Sequence, residues 1–247
     1  MQGLIDSLSH WAQLFSWGDQ GWGDEFVQAA GMTVLLSTAA YIFGVVVGLI
    51  AACLKVWGGV VLRGLMEIYT TVIRGVPELL IIYLLFFGNE RAINAILGIF
   101  GITQPFQLNE FAIGVFAVGL ISGAYSTEVL RGAIQVIPHG QIEAGRAFGM
   151  HGFMVFRRII LPQTIRLALP GLGNIWQLIL KDTALVSVVG VTELMRISQV
   201  AARSTREPFP FFITAAILFL VITTFSTKMF RKAEAHYDRG VPRNTKT

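Results

Sequence analysis

Residues 29–54 read AAGMTVLLSTAAYIFGVVVGLIAACL, a run of 26 residues without a charged side chain. About 20 apolar residues suffice for a helix to cross the hydrocarbon core of a bilayer. The composition agrees with this run, because 54% of the 247 residues are hydrophobic and only 14% are charged. Soluble domains carry roughly 25% charged residues. The sequence therefore predicts an all-α, multi-pass transmembrane helical bundle. It excludes a disordered chain, a nucleic-acid-binding domain and an ordinary soluble enzyme.

Four more apolar stretches follow the first span, which covers about 28–54. They cover about 64–87, 111–130, 167–191 and 209–227. With five spans and an outer N-terminus, the inner segments are 55–63, 131–166 and the tail 228–247. These hold 13 Lys and Arg residues, whereas the outer segments hold four. Cytoplasmic loops carry an excess of Lys and Arg, so we expect the N-terminus outside and the C-terminus inside.

Three of the four outer bases lie in one segment, 192–208, and stand against that rule. They are Arg196, Arg203 and Arg206. The domain organisation that follows has an outer or interfacial segment at 1–27, a membrane domain at 28–227 and a cytoplasmic tail at 228–247. The net charge of +4 is explained by cytoplasmic loops and does not require a nucleic-acid partner.

Two of the stretches contain ionisable residues at membrane depth, where a charge must face protein or water. Arg74-Gly75-Val76-Pro77-Glu78 breaks the second stretch, and Lys181-Asp182-Thr183 interrupts the fourth. A break at Pro77 either lines a substrate site, as broken helices do in transporters, or is a kink required for packing. For Lys181 and Asp182 we expect a local ion pair. Glu128 and Arg131, spaced i,i+3, are expected to pair as well.

A short helix is predicted in the cytoplasmic segment, from Gln141 to Phe148, ended by Gly149. Its small side chains and its apolar residues Ile142 and Phe148 are typical of a helix that enters a groove of another protein. The alternative from chemistry alone is a helix lying on the membrane surface.

The spacing in this segment resembles the EAA loop of importer-type ABC transporter permeases, over about 139–162. That pattern is E-A-A, three residues, G, nine residues, I-x-L-P. The matching positions are Glu143, Ala144, Gly149, Ile159, Leu161 and Pro162, with Gly145 in place of the third alanine. The resemblance implies that this segment couples the chain to an ATP-binding subunit.

Further segments resemble the polar amino acid permeases within that family, and the resemblance covers about 28–243. The segments similar to polar amino acid permeases in general are 73–79, 168–174 and 180–187. Two more segments look closest to the histidine/lysine–arginine–ornithine and opine permeases, namely 204–209 and 239–243. The resemblance implies a subunit of the bacterial inner membrane, surrounded by lipid, that pairs with a second permease, expected to be a paralogue. It also implies two ATP-binding subunits and a periplasmic amino-acid-binding protein.

The substrate expected from the resemblance is a basic amino acid or an opine; another polar amino acid such as glutamine is the alternative. A basic amino acid needs a compensating anion in low-dielectric surroundings. Glu78, beside the break, and Glu67, eleven residues earlier, would share a helix face if the break bends little. Arg74 either neutralises Glu78 or meets the substrate carboxylate. The passage residues predicted on this basis are Arg74, Pro77, Glu78, Glu67, Lys181 and Asp182.

Other function classes find little support in the sequence. The chain has no G-x-x-x-x-G-K-[ST] phosphate loop, so we expect no enzymatic activity, no catalytic residues and no cofactor of its own, with ATP bound by a partner. Its four histidines are scattered and Cys53 is the only cysteine, so no metal site is expected. The EAA-like loop argues against the interpretation of the chain as a membrane scaffold or a channel.

Overall fold

A computed structural model of the chain describes residues 10–11, 13–18, 21–99 and 109–237, and only the backbone at 89–99. The described residues form helices, turns and loops, without a strand. The helices are α1 (Gly23–Trp57), α2 (Val60–Gly75), α3 (Glu78–Ile99), α4 (Glu110–Gln135), α5 (His139–Ala147), α6 (Gly152–Val155), a π-helix (Phe156–Ile160), α7 (Leu161–Val186), a 3₁₀-helix (Ser187–Val189), α8 (Leu194–Thr205) and α9 (Pro208–Tyr237). This confirms the predicted helical bundle.

The centre of the bundle is the pair α1 and α4, whose glycines let the two helices approach closely. A Cβ atom added to Gly48 would lie 2.6 Å from Ser126 Cβ, and one added to Gly123 would lie 3.1 Å from Val47 Cγ1. Small residues at a membrane-helix contact favour association because they permit backbone packing. Helix α7 packs against this pair, and α8 and α9 form a second apolar cluster with the start of α1 around Phe26 and Phe211.

The break at Pro77 is sharp, with α2 and the first part of α3 (78–88) meeting at 110°. Val76 N–H still donates to Val72 O, and the Pro77 carbonyl accepts from the backbone N–H groups of Leu80 and Ile81. These bonds pair backbone groups on both sides of the break, as membrane depth requires. The predicted interruption of the second span is confirmed.

Three of the described helices, α1, α4 and α9, are long and apolar enough to cross a membrane, and the bent pair α2–α3 makes a fourth. The remaining predicted span corresponds to α7, which has 26 residues but is more polar. Five spans and their orientation therefore stay a prediction.

Three boundaries differ from the sequence expectations. Helix α7 runs unbroken through Lys181-Asp182-Thr183, and the chain turns later, at Gly190 with φ +107°. Helix α3 extends to Ile99, into the predicted loop 88–110, and α9 extends to Tyr237, into the predicted tail. The tail motif 239–243 lies outside the described residues.

Candidate coupling helix and substrate passage

The predicted short helix is confirmed as α5, and its end is a Schellman motif. Gly149 N–H donates to Arg146 O at 2.9 Å, and Met150 N–H donates to Gly145 O at 3.1 Å. Gly149 has φ +77°, the left-handed conformation that favours glycine at this position. The helix ends here because glycine adopts this left-handed conformation without the strain that a side chain would cause.

The glycine that departs from the E-A-A pattern faces inward. Gly145 is buried, and a Cβ atom added to it would lie 2.6 Å from Ile159 Cδ1 and 3.5 Å from Val155 Cγ2. Ile159 is the isoleucine of the same pattern. The two halves of the motif are therefore in direct contact, with α5 packed across the π-helix.

The outer side of α5 is open to solvent. Glu143, Ala144 and Phe148 are exposed, Phe148 by 87%. Ile142, by contrast, is half-buried and packs on the chain's own core, so it presents less apolar surface than Phe148, and its contact with a partner stays a prediction. Phe153, beyond the turn, and Trp57, at the end of α1, are further exposed aromatic side chains at this end.

The last residues of the pattern, Leu161 and Pro162, begin helix α7 directly after the π-helix. Pro162 has no backbone N–H to donate to the carbonyl four residues before it, and it lies in the first turn of α7, where proline is best tolerated. A widened turn before Pro162 accommodates this loss, and single π-turns often occur at functional sites. Gln163 Nε2 donates to Gln141 Oε1 at 2.7 Å, which ties α7 to the beginning of α5.

An apolar cavity of about 440 Å³ separates α5 from the end of α1. It is lined by Cys53, Trp57, Ile142, Arg146, Phe153 and Phe156, among others. The Trp57 and Phe156 rings meet edge to face at 6.1 Å. Helix α5 contacts α6 and the π-helix, with Gly145 at the contact.

Several of the residues predicted to line the passage lie close together at the break at Pro77. Tyr125 Oη donates to Glu78 Oε1 at 3.1 Å, and Arg74 Cζ lies 5.6 Å from the centre of the Tyr125 ring. Asp182, on α7, interacts electrostatically with both Glu78 and Tyr125. One of its carboxylate oxygens, Oδ2, is buried and has no hydrogen-bond partner among the described residues.

The expected Lys181–Asp182 pair is wrong, and of the two roles left open for Arg74 the pair with Glu78 is not formed. The ion pairs found in the described part of the chain include neither Arg74–Glu78 nor Lys181–Asp182. The bend of 110° is also too large for Glu67 and Glu78 to share a helix face.

Glu67 instead belongs to an ion cluster centred on Lys55. Lys55 Nζ lies 2.6 Å from Glu67 Oε2, 2.6 Å from Glu128 Oε1 and 3.0 Å from Thr70 Oγ1. Arg131 binds the other oxygen of Glu128 at 2.7 Å, which confirms the predicted i,i+3 pair. The Lys55 side chain is only 4% exposed, so its charge is compensated almost entirely by protein. The cluster joins α1, α2 and α4.

Sequence reasoning placed Lys55 in a cytoplasmic loop and did not single out Tyr125. Lys55 ends an apolar run, where a flanking base is the ordinary interpretation. Its partners come from two other helices, and no sequence spacing reports such contacts. Thr70, the one buried residue of α2, was likewise not marked by any pattern in the sequence.

Comparison with known proteins agrees with this geometry. The model of the family "Binding-protein-dependent transport system inner membrane component" matches residues 44–233. The octopine transport system permease protein OccQ of Rhizobium meliloti is 48% identical over 94% of this chain and 98% of its own length. The histidine/lysine/arginine/ornithine transport system permease protein HisQ of Escherichia coli is 40% identical over 90% and 97%.

A solved structure has the same fold. The crystal structure of an amino acid ABC transporter with histidines aligns with a TM-score of 0.72 and 32% identity, over 87% of this chain and 95% of that one. The similarity therefore extends well beyond the 139–162 segment, over most of the helical bundle. The chain therefore belongs to the family of inner-membrane components of binding-protein-dependent transport systems, as a transport permease subunit and not an enzyme.

Proposed function

We propose that the chain is one of two permease subunits of an ATP-driven importer of basic amino acids or opines. It would cross the bacterial cytoplasmic membrane five times, with the N-terminus outside. The observation that carries the proposal is α5, a helix closed by Gly149 that presents Glu143, Ala144 and Phe148 away from the bundle. Phe148 and Phe153 are both exposed at this end of the bundle, and apolar side chains exposed together favour a partner that covers them.

The ATP-binding subunit is the partner that would cover α5, and a periplasmic binding protein would deliver the substrate, as the family requires. Phe148 and Phe153 would enter a groove of the ATP-binding subunit, in the helix-in-groove mode. Closure of that subunit would push α5 against Ile159 and so move α7. ATP would be bound by the partner alone.

A second permease, expected to be a paralogue, would cover α2 and α3. Both helices leave large apolar side chains exposed; these include Val61, Leu65, Ile68, Leu84 and Phe87. Helix α2 buries one residue of its own, Thr70, in this chain. A helix so weakly packed favours a neighbouring subunit on its open face, with lipid on the remainder.

The substrate passage would lie at the bend between α2 and α3. Glu78 and Asp182 supply negative charge for a cationic side chain, and Arg74 supplies a positive charge for the substrate carboxylate, which it would bind bidentately. Pro77 separates the two helices at this bend, and Lys181 directly precedes Asp182 in the sequence. Glu67 lies outside this arrangement because Lys55 binds it.

Uptake by proteoliposomes that contain the assembled transporter tests the proposal. With ATP inside and binding protein outside, radiolabelled arginine should accumulate, and octopine and nopaline should compete with it. Accumulation of glutamine with no arginine uptake would contradict the basic substrate, and uptake of neither would contradict the importer.

Glu78→Gln, with Glu67→Gln as matched control, tests the passage. We expect Glu78→Gln to lower arginine uptake about tenfold or more, since one lost charge contact of about 1.4 kcal/mol changes a rate tenfold. Uptake of a neutral amino acid should change little. Glu67→Gln should affect both substrates equally. If Glu78→Gln takes up arginine and the neutral amino acid at the same rates as the wild type does, Glu78 has no role in the passage.

A further inference from the structure

The cavity between the end of α1 and α5 has walls from four elements of the fold. Its lining residues come from α1, α5, α6 and the π-helix. Its volume of about 440 Å³ lies within the range of about 300–1,000 Å³ that is usual for pockets that hold small organic molecules. Neither Gly145 nor a residue of the proposed passage belongs to the lining, so the coupling contact and the passage leave this space unused.

The lining is apolar except for one guanidinium group. Arg146 is the one charged residue among the described lining residues. It follows Ile142 by four residues, so the two side chains share a face of α5. Ala144 and Phe148, each two residues from Arg146, lie on the other side of the helix and are exposed. A subunit that covers Phe148 would therefore leave the cavity side of α5 open.

Arg146 has no acidic partner within its own chain. The ion pairs formed by the residues that the structure describes do not include it. Glu67 and Glu128, the acids near the end of α1, are both bound to Lys55. Apolar walls with one uncompensated cation at the edge are complementary to a ligand that combines an apolar chain with an anionic group.

The two ends of the cavity lie at different depths in the proposed orientation. Cys53 falls within the first predicted span, 28–54, whereas Arg146 belongs to the predicted cytoplasmic segment 131–166. Trp57 lines the cavity between them and is 50% exposed, and tryptophan is enriched where membrane helices meet water. The cavity thus runs from an apolar end at the bilayer to a cationic end at the cytoplasm, which is the polarity of a phospholipid in the inner leaflet.

We propose that the cavity binds one anionic phospholipid of the cytoplasmic leaflet. The Arg146 guanidinium would donate to the phosphate oxygens, for which its planar geometry is suited, and an acyl chain would lie against Cys53 and Trp57. Basic pockets at the cytoplasmic side of membrane helices are a recurring kind of lipid head-group site. The inference rests on the proposed function only for the placement of α5 in the cytoplasm. A bound lipid would fill the space behind α5 and brace this helix against α1.

Cys53 can report whether the cavity is occupied. It lines the cavity, is half-buried and is the only cysteine of the chain. The complete transporter is placed in nanodiscs of phosphatidylcholine, or of equal parts phosphatidylcholine and phosphatidylglycerol. The rate at which a small maleimide labels this subunit is then followed by mass spectrometry. Labelling should be about tenfold slower in the mixed lipid, since a site about nine-tenths occupied leaves its thiol free about a tenth of the time.

Two matched variants identify the contact with the head group. Arg146→Gln removes the charge at an exposed position and should be labelled at the same rate in both lipids. Arg157→Gln changes an exposed base of the neighbouring π-helix that does not line the cavity, and it should keep the protection. Val60→Cys in a Cys53→Ala chain, 89% exposed at that position, measures the effect of membrane charge on an open thiol, by which both rates are corrected.

Three results would overturn the lipid site. The first is equal corrected labelling of wild type in the two lipids, and the second is protection that Arg146→Gln retains. The third is protection by glycerol phosphate in phosphatidylcholine nanodiscs, which would assign the cavity to a free phosphate compound. Equal labelling together with arginine uptake would overturn the lipid site alone. Protection that depends on phosphatidylglycerol and Arg146, in a transporter that takes up no amino acid, would support the lipid site and contradict the proposed function.

Discussion

Gly145 and Ile159 approach so closely that a Cβ atom on Gly145 would lie 2.6 Å from Ile159 Cδ1. This contact joins the helix that faces solvent to the segment that begins α7. Because Gly145 has no side chain, the end of the isoleucine side chain packs directly against the α5 backbone. Force applied to α5 would reach the membrane helices through this pair.

A bulky side chain at Gly145 should uncouple the transporter. Gly145→Leu would push α5 away from Ile159, whereas Gly145→Ala should be mild because Cδ1 is the end of a flexible side chain. We expect Gly145→Leu to keep ATPase activity and to lower uptake by about tenfold, and Ile159→Ala in the same chain to restore part of it. The measurement is the ratio of arginine taken up to ATP hydrolysed. Full uptake by Gly145→Leu would contradict the contact's role.

Gly149 should tolerate asparagine better than valine. A β-branched residue at φ +77° costs of order 1–3 kcal/mol, although nothing lies within 4 Å of the added Cβ. Gly149→Val should therefore insert and assemble normally but turn over ATP without transport. Gly149→Asn should retain most uptake, and Gly152→Ala, at a glycine without positive φ, is the control. Normal coupling in Gly149→Val would show that the turn is not needed.

Removal of Lys55 should destabilise the assembly more than removal of Glu67. Lys55→Met leaves Glu67 and Glu128 without their shared partner, and breaking a buried pair costs about 3–5 kcal/mol. Glu67→Gln should cost less than about 1 kcal/mol, because the Glu67 side chain is 63% exposed and exposed pairs contribute little. Thermal unfolding of the purified transporter measures both. Equal melting temperatures for the two variants would contradict the cluster as described.

Glu193 should make stability depend on pH. Burial raises the pKa of Glu193 to about 7 from 4.5, although two backbone N–H groups lower it. The folded state then holds its proton where the unfolded state has lost it, so stability falls as pH rises from about 4.5 to 7 and is level above that. Glu193→Gln should remove this part of the dependence. An identical pH profile of melting temperature in wild type and Glu193→Gln would contradict the raised pKa.

The features predicted correctly from sequence are those with local physical causes. The apolar runs, the break at Pro77, the Glu128–Arg131 pair and the helix end at Gly149 each depend on residues near one another in the chain. The errors concern contacts between helices. Lys55 is buried because two distant acids reach it, and Glu78 is bound by Tyr125, whereas a pair with Arg74 was one of the two alternatives that the sequence left open.

The continuity of α7 illustrates the same limit. Lys181 and Asp182 look disruptive in an apolar stretch, yet a helix satisfies its own backbone whatever the side chains are. Whether their charges find compensation depends on α3 and α4, which the local sequence does not reveal.

Site-specific crosslinking tests most directly whether α5 is the contact with the ATP-binding subunit. Cys53 is the only cysteine, so a Cys53→Ala chain can carry single cysteines at two exposed positions, Phe148→Cys and Thr192→Cys. With a short cysteine–lysine crosslinker on the assembled transporter, Phe148→Cys should be joined to the ATP-binding subunit and Thr192→Cys should not. A crosslink to that subunit from Thr192→Cys, with none from Phe148→Cys, would contradict the account.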